Sequence, residues 1–270
     1  MIVQHNISSM NANRQLGIVG NNLSKSTEKL SSGYKINRAA DDAAGLAISE
    51  KMRAQVRGLN RASDNAQDGI SLIQTAEGAM DQQHAILQRT RELVVQAANS
   101  GVLDGDKEDD FQKIQDEIDA LKTEFERINS DTEFNKKKLL NGDYNQQWLQ
   151  LGANDSQGIT VTITETTWSA VDVKDGAAAN SDVIETVDTM IKTVSEKRSN
   201  LGAIKNRLEN TVKVDDNTAE NLQAAESRIR DTDMADEMTR FSKESILQQA
   251  ATSMLAQANQ ANQGVLSLLQ

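Results

Sequence analysis

Two histidines, His5 and His84, and forty acidic side chains are the groups in this chain best suited to acid–base or metal chemistry. The histidines are far apart, and no His-Glu-x-x-His spacing puts a zinc-binding pair on one helix face. The densest carboxylate run, Asp104, Asp106, Glu108, Asp109 and Asp110, has the composition of a calcium loop but not its spacing. No bidentate Glu follows where the ion would need one. A solvated turn that caps the next helix accounts for the run. Cysteine is absent, which removes thiolate chemistry and disulfides and leaves the redox compartment open. No phosphate loop, dinucleotide glycine motif or nucleophile elbow occurs. Arg and Glu three or four residues apart read as solvated ion pairs on helix faces. The chain is therefore expected to be no enzyme and to need no metal or cofactor, and its function must come from surfaces.

The elements that would carry those surfaces are helices. Proline is absent and aromatics make up 3% of 270 residues, too few for an ordinary globular core. The net charge of −11 argues against a nucleic-acid partner. The first nine residues hold no basic stretch followed by an apolar core, so no secretory signal is expected. Ser245 to Gln270 contains no charged side chain in a chain that is 26% charged. There Leu247, Ala251, Met254, Ala258, Ala261, Val265 and Leu268 repeat at four-three spacing, one apolar helix face. Gln and Asn form the back of this helix, which makes a membrane span untenable. A neutral back suits copies lying side by side, where like charges would repel. Periodicity alone equally allows a helix docked on its own core. Met1 to Ser24 mirrors this pattern, with Arg14 its one formal charge, and Leu16, Leu23 and Leu30 recur at heptad spacing before a stop at Gly33.

Between the ends the pattern is that of a bundle. Asp41 and Asp42 open a helix in which Met52, Leu59, Ala66, Ile73, Met80, Leu87 and Val94 fall every seven residues. A neighbouring seam, Leu72, Ala79, Ile86 and Leu93, requires a second partner. Gly58, Gly69 and Gly78 weaken this helix and allow close approach. A turn over Ser100–Asp106 leads to an antiparallel helix through Phe111, Ile114, Ile118, Leu121, Phe125 and Ile128, whose pattern breaks at Asn141-Gly142. Gln150–Trp168 is the β-like region, with Ile159, Val161 and Ile163 alternating with threonines, a turn at Asn154–Gly158, and Trp148 and Trp168 anchoring a hairpin on the bundle. A loop is expected at Asp175–Asn180. A third long helix starts near Ser181 with seam residues Ile184, Val187, Ile191, Val194, Leu201, Leu208 and Leu222, interrupted by Arg198, Lys205 and Asp215. An acidic break at Asp231–Glu237 precedes the last helix. The predicted fold class is mainly α, an elongated antiparallel helical bundle with coiled-coil seams and a small β-hairpin.

Asn11–Leu16, Leu30–Asn37, Asp41–Ser49, Asn65–Met80, Leu87–Asn99, Thr132–Leu140, Arg198–Glu209, Ile246–Ala250 and Leu255–Asn259 are several long motifs that, in this order, make the chain resemble bacterial flagellin. The resemblance covers roughly the first 140 and last 90 residues and implies a minimal form without outer domains. It implies an inner-tube domain (D0) from residues 1–43 and 231–270, and a rod domain (D1) from residues 44–180 and 181–230. It also implies a homopolymer, export unfolded through the flagellar type III apparatus with a chaperone, cap and junction proteins as neighbours, and an extracellular place in the flagellum. Leu16, Leu23, Leu30, Leu247, Ala251, Met254, Leu255, Ala258, Val265 and Leu268 would be the polymerisation seam. The stretch Gln88, Arg89, Arg91, Glu92 and Leu93, with Glu117 on the next helix, resembles the family's contact surface for host Toll-like receptor 5. A hook–filament junction protein, and a soluble immune-modulating ligand or adhesin, remain the alternatives.

Overall fold

With no proline to interrupt it, the backbone hydrogen-bonds continuously over long stretches. The computed structural model describes residues 6–99, 107–173 and 181–267. Among them the order is α1 (Ile7–Ser32), α2 (Ala43–Ala98), α3 (Lys107–Asp131), β1 (Glu133–Phe134), β2 (Lys137–Lys138), β3 (Gln147–Gln150), β4 (Gly158–Val161), α4 (Ser181–Arg230) and α5 (Met234–Ser267). The expected turn at Ser100–Asp106 and loop at Asp175–Asn180 lie outside the described residues.

Short polar side chains set the helix ends. Asn6 caps α1 by accepting the Ser9 N–H at 3.0 Å. Gly33 ends it in the left-handed region, φ 76°, and donates to the Lys29 carbonyl at 2.8 Å. Asp42 caps α2 through the Gly45 N–H at 2.9 Å. Asp41 turns back to accept the N–H groups of Arg38 and Asn37, which hold its carboxyl below the ordinary range. Asp233 accepts the Ala235 N–H at 2.9 Å and caps α5.

The chain divides into two units, residues 55–219 and residues 1–54 with 220–270, so the divisions fall within α2 and α4. The unit 55–219 owns nearly the whole apolar core. The heptad positions Ala66, Ile73, Met80, Leu87 and Val94 are completely buried, and Leu72 and Leu93 of the second seam are nearly so. Facing them are Phe111, Ile114, Ile118 and Phe125 of α3 and Val187, Val194, Leu201 and Leu208 of α4. Two contacts fix α3 antiparallel to α2, Arg89 with Glu117 and Gln83 with Asn129. Three fix α4 antiparallel to α2 in one unbroken register: Arg91–Asp188, Asp81–Arg198 and Ser63–Asp216.

Three expectations need correction in this unit. The helical pattern ends at Asp131, ahead of Asn141-Gly142, because Asn135 and Lys136 adopt positive φ (49° and 64°) and close the β1–β2 hairpin. That turn drives Leu139 and Leu140 into the core. The second hairpin is shorter than Gln150–Trp168 and begins earlier, pairing Gln147–Gln150 with Gly158–Val161. Residues 162–173 run on outside any strand as a strap, tied at its start by the Ile163 N–H donating to the Tyr144 carbonyl at 2.9 Å, that buries Ile163, Val171 and Val173. Its backbone is held by side chains: Asn129 donates to the Thr166 carbonyl at 2.7 Å, and Gln115 accepts the Val173 N–H at 3.0 Å. Trp168 meets Phe125 edge-on at 5.4 Å and does anchor this region. Trp148 does not; it is 53% exposed and donates to Gln150 Oε1. Of the three glycines in α2, Gly58 meets Ala153 so closely that an added Cβ would lie 2.7 Å from its Cβ. Gly69 faces Leu149, while Gly78 faces open space.

The other unit pairs α1 with α5 and the start of α2 with the end of α4. Ser9 donates to Asn259 Oδ1 at 2.7 Å and Ser26 to Glu237 Oε1 at 2.5 Å, an antiparallel arrangement. The two connectors form a short clasp. Tyr34 bridges Asp231, the Lys35 N–H donates to the Arg230 carbonyl at 2.7 Å, and the Thr232 N–H donates to the Gly33 carbonyl at 3.0 Å. The Arg230 guanidinium lies 4.7 Å from the Tyr34 ring centre and also reaches Glu50 at 2.6 Å. Arg53 donates to the Tyr34 hydroxyl at 3.1 Å.

Candidate functional site

The terminal helix pair is unusual in what it leaves open. Residues of reduced exposure on α1 recur as Ser9, Ala12, Leu16, Val19, Leu23, Ser26 and Leu30, at three-four spacing, with Ser26 buried and the rest half-buried. Ser9 and Ser26 on that stripe reach α5, so Leu16, Leu23 and Leu30 face α5 as well. On α5 the matching stripe is Glu237, Phe241, Glu244, Gln248, Ala251, Leu255 and Ala258. Of the expected polymerisation seam, Ala251, Leu255 and Ala258 lie against α1 within the chain, whereas Leu247 and Met254 point away into solvent, because the pairing stripe takes Gln248 and Leu255 instead of their neighbours. The side chains of Ala261 and Val265, and Leu268 as a whole, lie outside what is described.

Among the described residues no apolar side chain of α1 or α5 is fully buried; the fully buried pair is polar, Ser26 with Glu237. Among the described residues of the whole unit, the one buried hydrophobic residue is Ile36, in the connector. Large apolar side chains stand exposed instead. Ile7, Met10 and Ile18 share one side of α1, and Met234, Met238, Ile246, Leu247 and Met254 are exposed along α5. Isolated exposed apolar residues are normal, but stripes of them mark contact surfaces. Charge follows the same division. Residues 1–54 and 220–270 carry eleven Lys and Arg against eleven Asp and Glu, whereas residues 55–219 carry 18 against 29, the entire net charge of −11.

A second surface lies on the unit 55–219. Arg89 donates through Nε to Glu117 Oε1 at 2.9 Å and through Nη1 to Glu92 at 3.1 Å. Those carboxylates, Glu117 first, push the Arg89 pKa further up. Arg91 donates to Asp188 Oδ1 at 2.6 Å, which raises its pKa too. Gln88, Arg91, Glu92, Asp188 and Ile191 line a shallow depression. Gln88, Arg89, Arg91, Glu92 and Glu117 are thus brought together on one exposed face. Leu93 is not part of it; at 2% exposed it sits in the core under the patch, since α2 turns that position inward with the second seam. Asp188 was not singled out from the sequence. The antiparallel register of α2 and α4 is the signal that identifies it as the partner of Arg91.

Among the described residues no group of three or more His, Cys, Asp or Glu is placed to hold a metal ion. His5, Asp104 and Asp106, and the side chains of Glu108 and Asp109, lie outside the described residues. No described helix is long and apolar enough to cross a membrane.

Comparison with known proteins gives one answer. The model of the bacterial flagellin N-terminal helical region matches residues 3–145, and that of the C-terminal helical region matches residues 184–269. Flagellin of Halalkalibacterium halodurans is 54% identical over 276 residues, covering 100% of both chains. Flagellin of Bacillus subtilis is 50% identical, and a flagellar filament 31.3 kDa core protein of Treponema maltophilum 48%, each again over 100% of both chains. Among solved structures, the crystal structure of Bacillus cereus flagellin aligns with a TM-score of 0.50 at 27% identity, covering 56% of this chain and 88% of that one.

Proposed function

The chain belongs to the bacterial flagellin family, and we propose on that premise that it polymerises as the structural subunit of a flagellar filament. One observation carries the reading: the α1–α5 pair has no fully buried apolar side chain among the described residues, yet exposes large apolar side chains on both helices. Further copies supply the missing core. Zero net charge on this unit lets many copies crowd together without mutual repulsion, while the −11 on the other unit keeps free subunits soluble. Such contacts join different faces of successive copies, so they do not close into a ring and a helical fibre grows. In this reading residues 1–43 and 231–270 form the inner-tube domain and residues 44–230 the rod domain. The short stretch 146–183 between the two matched regions leaves no room for large outer domains. The chain reaches the cell exterior through the type III export apparatus, with a chaperone before export and cap and junction proteins as neighbours in the filament.

The polymer is tested by adding short filament fragments to purified subunit, followed by sedimentation and negative-stain microscopy. Long tubes are expected. Persistent monomer would overturn the reading in favour of a junction protein or a ligand that acts alone.

A second role follows from the patch on α2 and α3. Gln88, Arg89, Arg91, Glu92 and Glu117 form an exposed, pre-ordered array of charge-assisted hydrogen bonds that supports recognition by host Toll-like receptor 5. Binding of the receptor ectodomain to purified subunit tests it directly.

A further inference from the structure

Eight methionines are present, and their distribution is uneven. Met80 and Met190 are sealed in the core of the unit 55–219, at 0% and 5% exposure. Met10, Met234, Met238 and Met254 are 67%, 48%, 50% and 60% exposed, and all four lie on the terminal helix pair. Met10 stands on the α1 stripe with Ile7 and Ile18; Met234 and Met238 are one helical turn apart on one flank of the α5 stripe that meets α1, and Met254 follows Leu247 by seven residues on the other flank. The exposed thioethers therefore occupy the apolar surface assigned above to copy–copy contact.

We propose that these four thioethers form a peroxide-sensitive modification site that controls subunit association. The proposal rests on the filament reading. Hydrogen peroxide is the co-substrate. The thioether sulfur attacks one peroxide oxygen, an S–O bond forms as the O–O bond breaks, and the departing hydroxide takes the proton from the transferred oxygen to leave as water. Sulfur is oxidised by two electrons and peroxide is reduced by two. The product sulfoxide is polar and chiral where a flexible apolar side chain stood. In the free subunit that change has little effect, because solvent already surrounds the side chain. Burying the polar sulfoxide in an apolar contact between copies is unfavourable. Assembly protects these residues and oxidation before assembly prevents it, so the site reads peroxide only while the subunit is free.

The test oxidises the full-length subunit with hydrogen peroxide, maps sulfoxide by peptide mass spectrometry and measures the critical concentration for seeded growth. Met10, Met234, Met238 and Met254 should oxidise before Met80 and Met190, and the critical concentration should rise at least ~100-fold. A chain carrying Met10→Leu, Met234→Leu, Met238→Leu and Met254→Leu should grow equally well with and without peroxide. Methionine sulfoxide reductases should restore growth of the oxidised unsubstituted chain, which keeps the test decisive if the fourfold variant does not assemble. Unimpaired growth of the oxidised chain, or equal inhibition of an assembling fourfold variant, overturns the proposal. If the untreated chain does not grow, the filament reading fails first and the proposal falls with it.

Discussion

Replacing Asp215 with Leu should stabilise the subunit. Asp215 continues the α4 heptad after Leu201 and Leu208 and is 7% exposed. Its Oδ2 is buried without a partner. Its neighbour Asp216 accepts from the Ser63 hydroxyl at 3.0 Å, and among the described residues Asp215 stands in no ion pair. Burial, then the Asp216 charge, push its pKa up from the ordinary 3.8. Relieving the unpaired oxygen is worth about 1–3 kcal/mol. A buried Leu adds about 1.5–3 kcal/mol, from which imperfect fit removes about 1 kcal/mol. The net gain is about 1.5–5 kcal/mol at pH 7, or a thermal midpoint higher by about 3–20 °C for a chain of this size. Far-UV circular dichroism of the full chain measures it. The pH dependence separates charge from packing. A raised folded-state pKa means the contribution of Asp215 is most favourable below 3.8 and is lost as pH rises through the folded value. The advantage of Asp215→Asn over the unsubstituted chain should thus be present at pH 7 and close as pH falls towards 3.8. A lower midpoint for Asp215→Leu, or an Asp215→Asn advantage that ignores pH, would refute the reasoning.

Met254→Asp changes an exposed side chain that faces away from α1, so the monomer midpoint should move by no more than ~0.5 kcal/mol in stability, while the critical concentration rises on the order of 10³-fold because a carboxylate must be buried between copies. Gly58→Val places a Cβ 2.7 Å from the Ala153 Cβ and 3.0 Å from its Cα, and calorimetry should show about 1–3 kcal/mol of destabilisation. Gly78→Ala meets nothing within 4 Å and should gain up to ~1 kcal/mol, so the two substitutions must move the midpoint in opposite directions. Arg89→Ala breaks exposed ion pairs worth less than ~1 kcal/mol to the fold, yet should weaken receptor binding in surface plasmon resonance.

The core of the larger unit was legible because one seven-residue repeat dominates α2: every position from Ala66 to Val94 on that register is buried. The terminal pairing was legible only in part. Apolar residues occur on several sides of α5, so two stripes compete, and the one containing Leu247 and Met254 looks better on spacing than the one that meets α1. Tertiary pairing with α1 decides, and a sequence of one helix carries no record of it. The β1–β2 hairpin was missed because Asn135 is followed by Lys136 in place of the Gly that usually announces such a turn. The strap over residues 162–173 has no backbone ladder; Gln115 and Asn129, distant in sequence, hold it. The charged patch emerged from its motif, but the inward turn of Leu93 required the second seam to be taken as core.

The pairing of α1 with α5 also sets a timetable. Ser26 and its partner Glu237 are separated by 211 positions, and Asn6 and the Ala258 carbonyl by 252. At about 5–20 residues per second, a ribosome completes α1 roughly 10–40 s before its partner helix exists. The buried contacts of α1 are so few that nothing holds it in a premature arrangement meanwhile. Closure of this helix pair is therefore the last event in the life of the nascent chain, and any process that keeps the two ends apart keeps the subunit pliable.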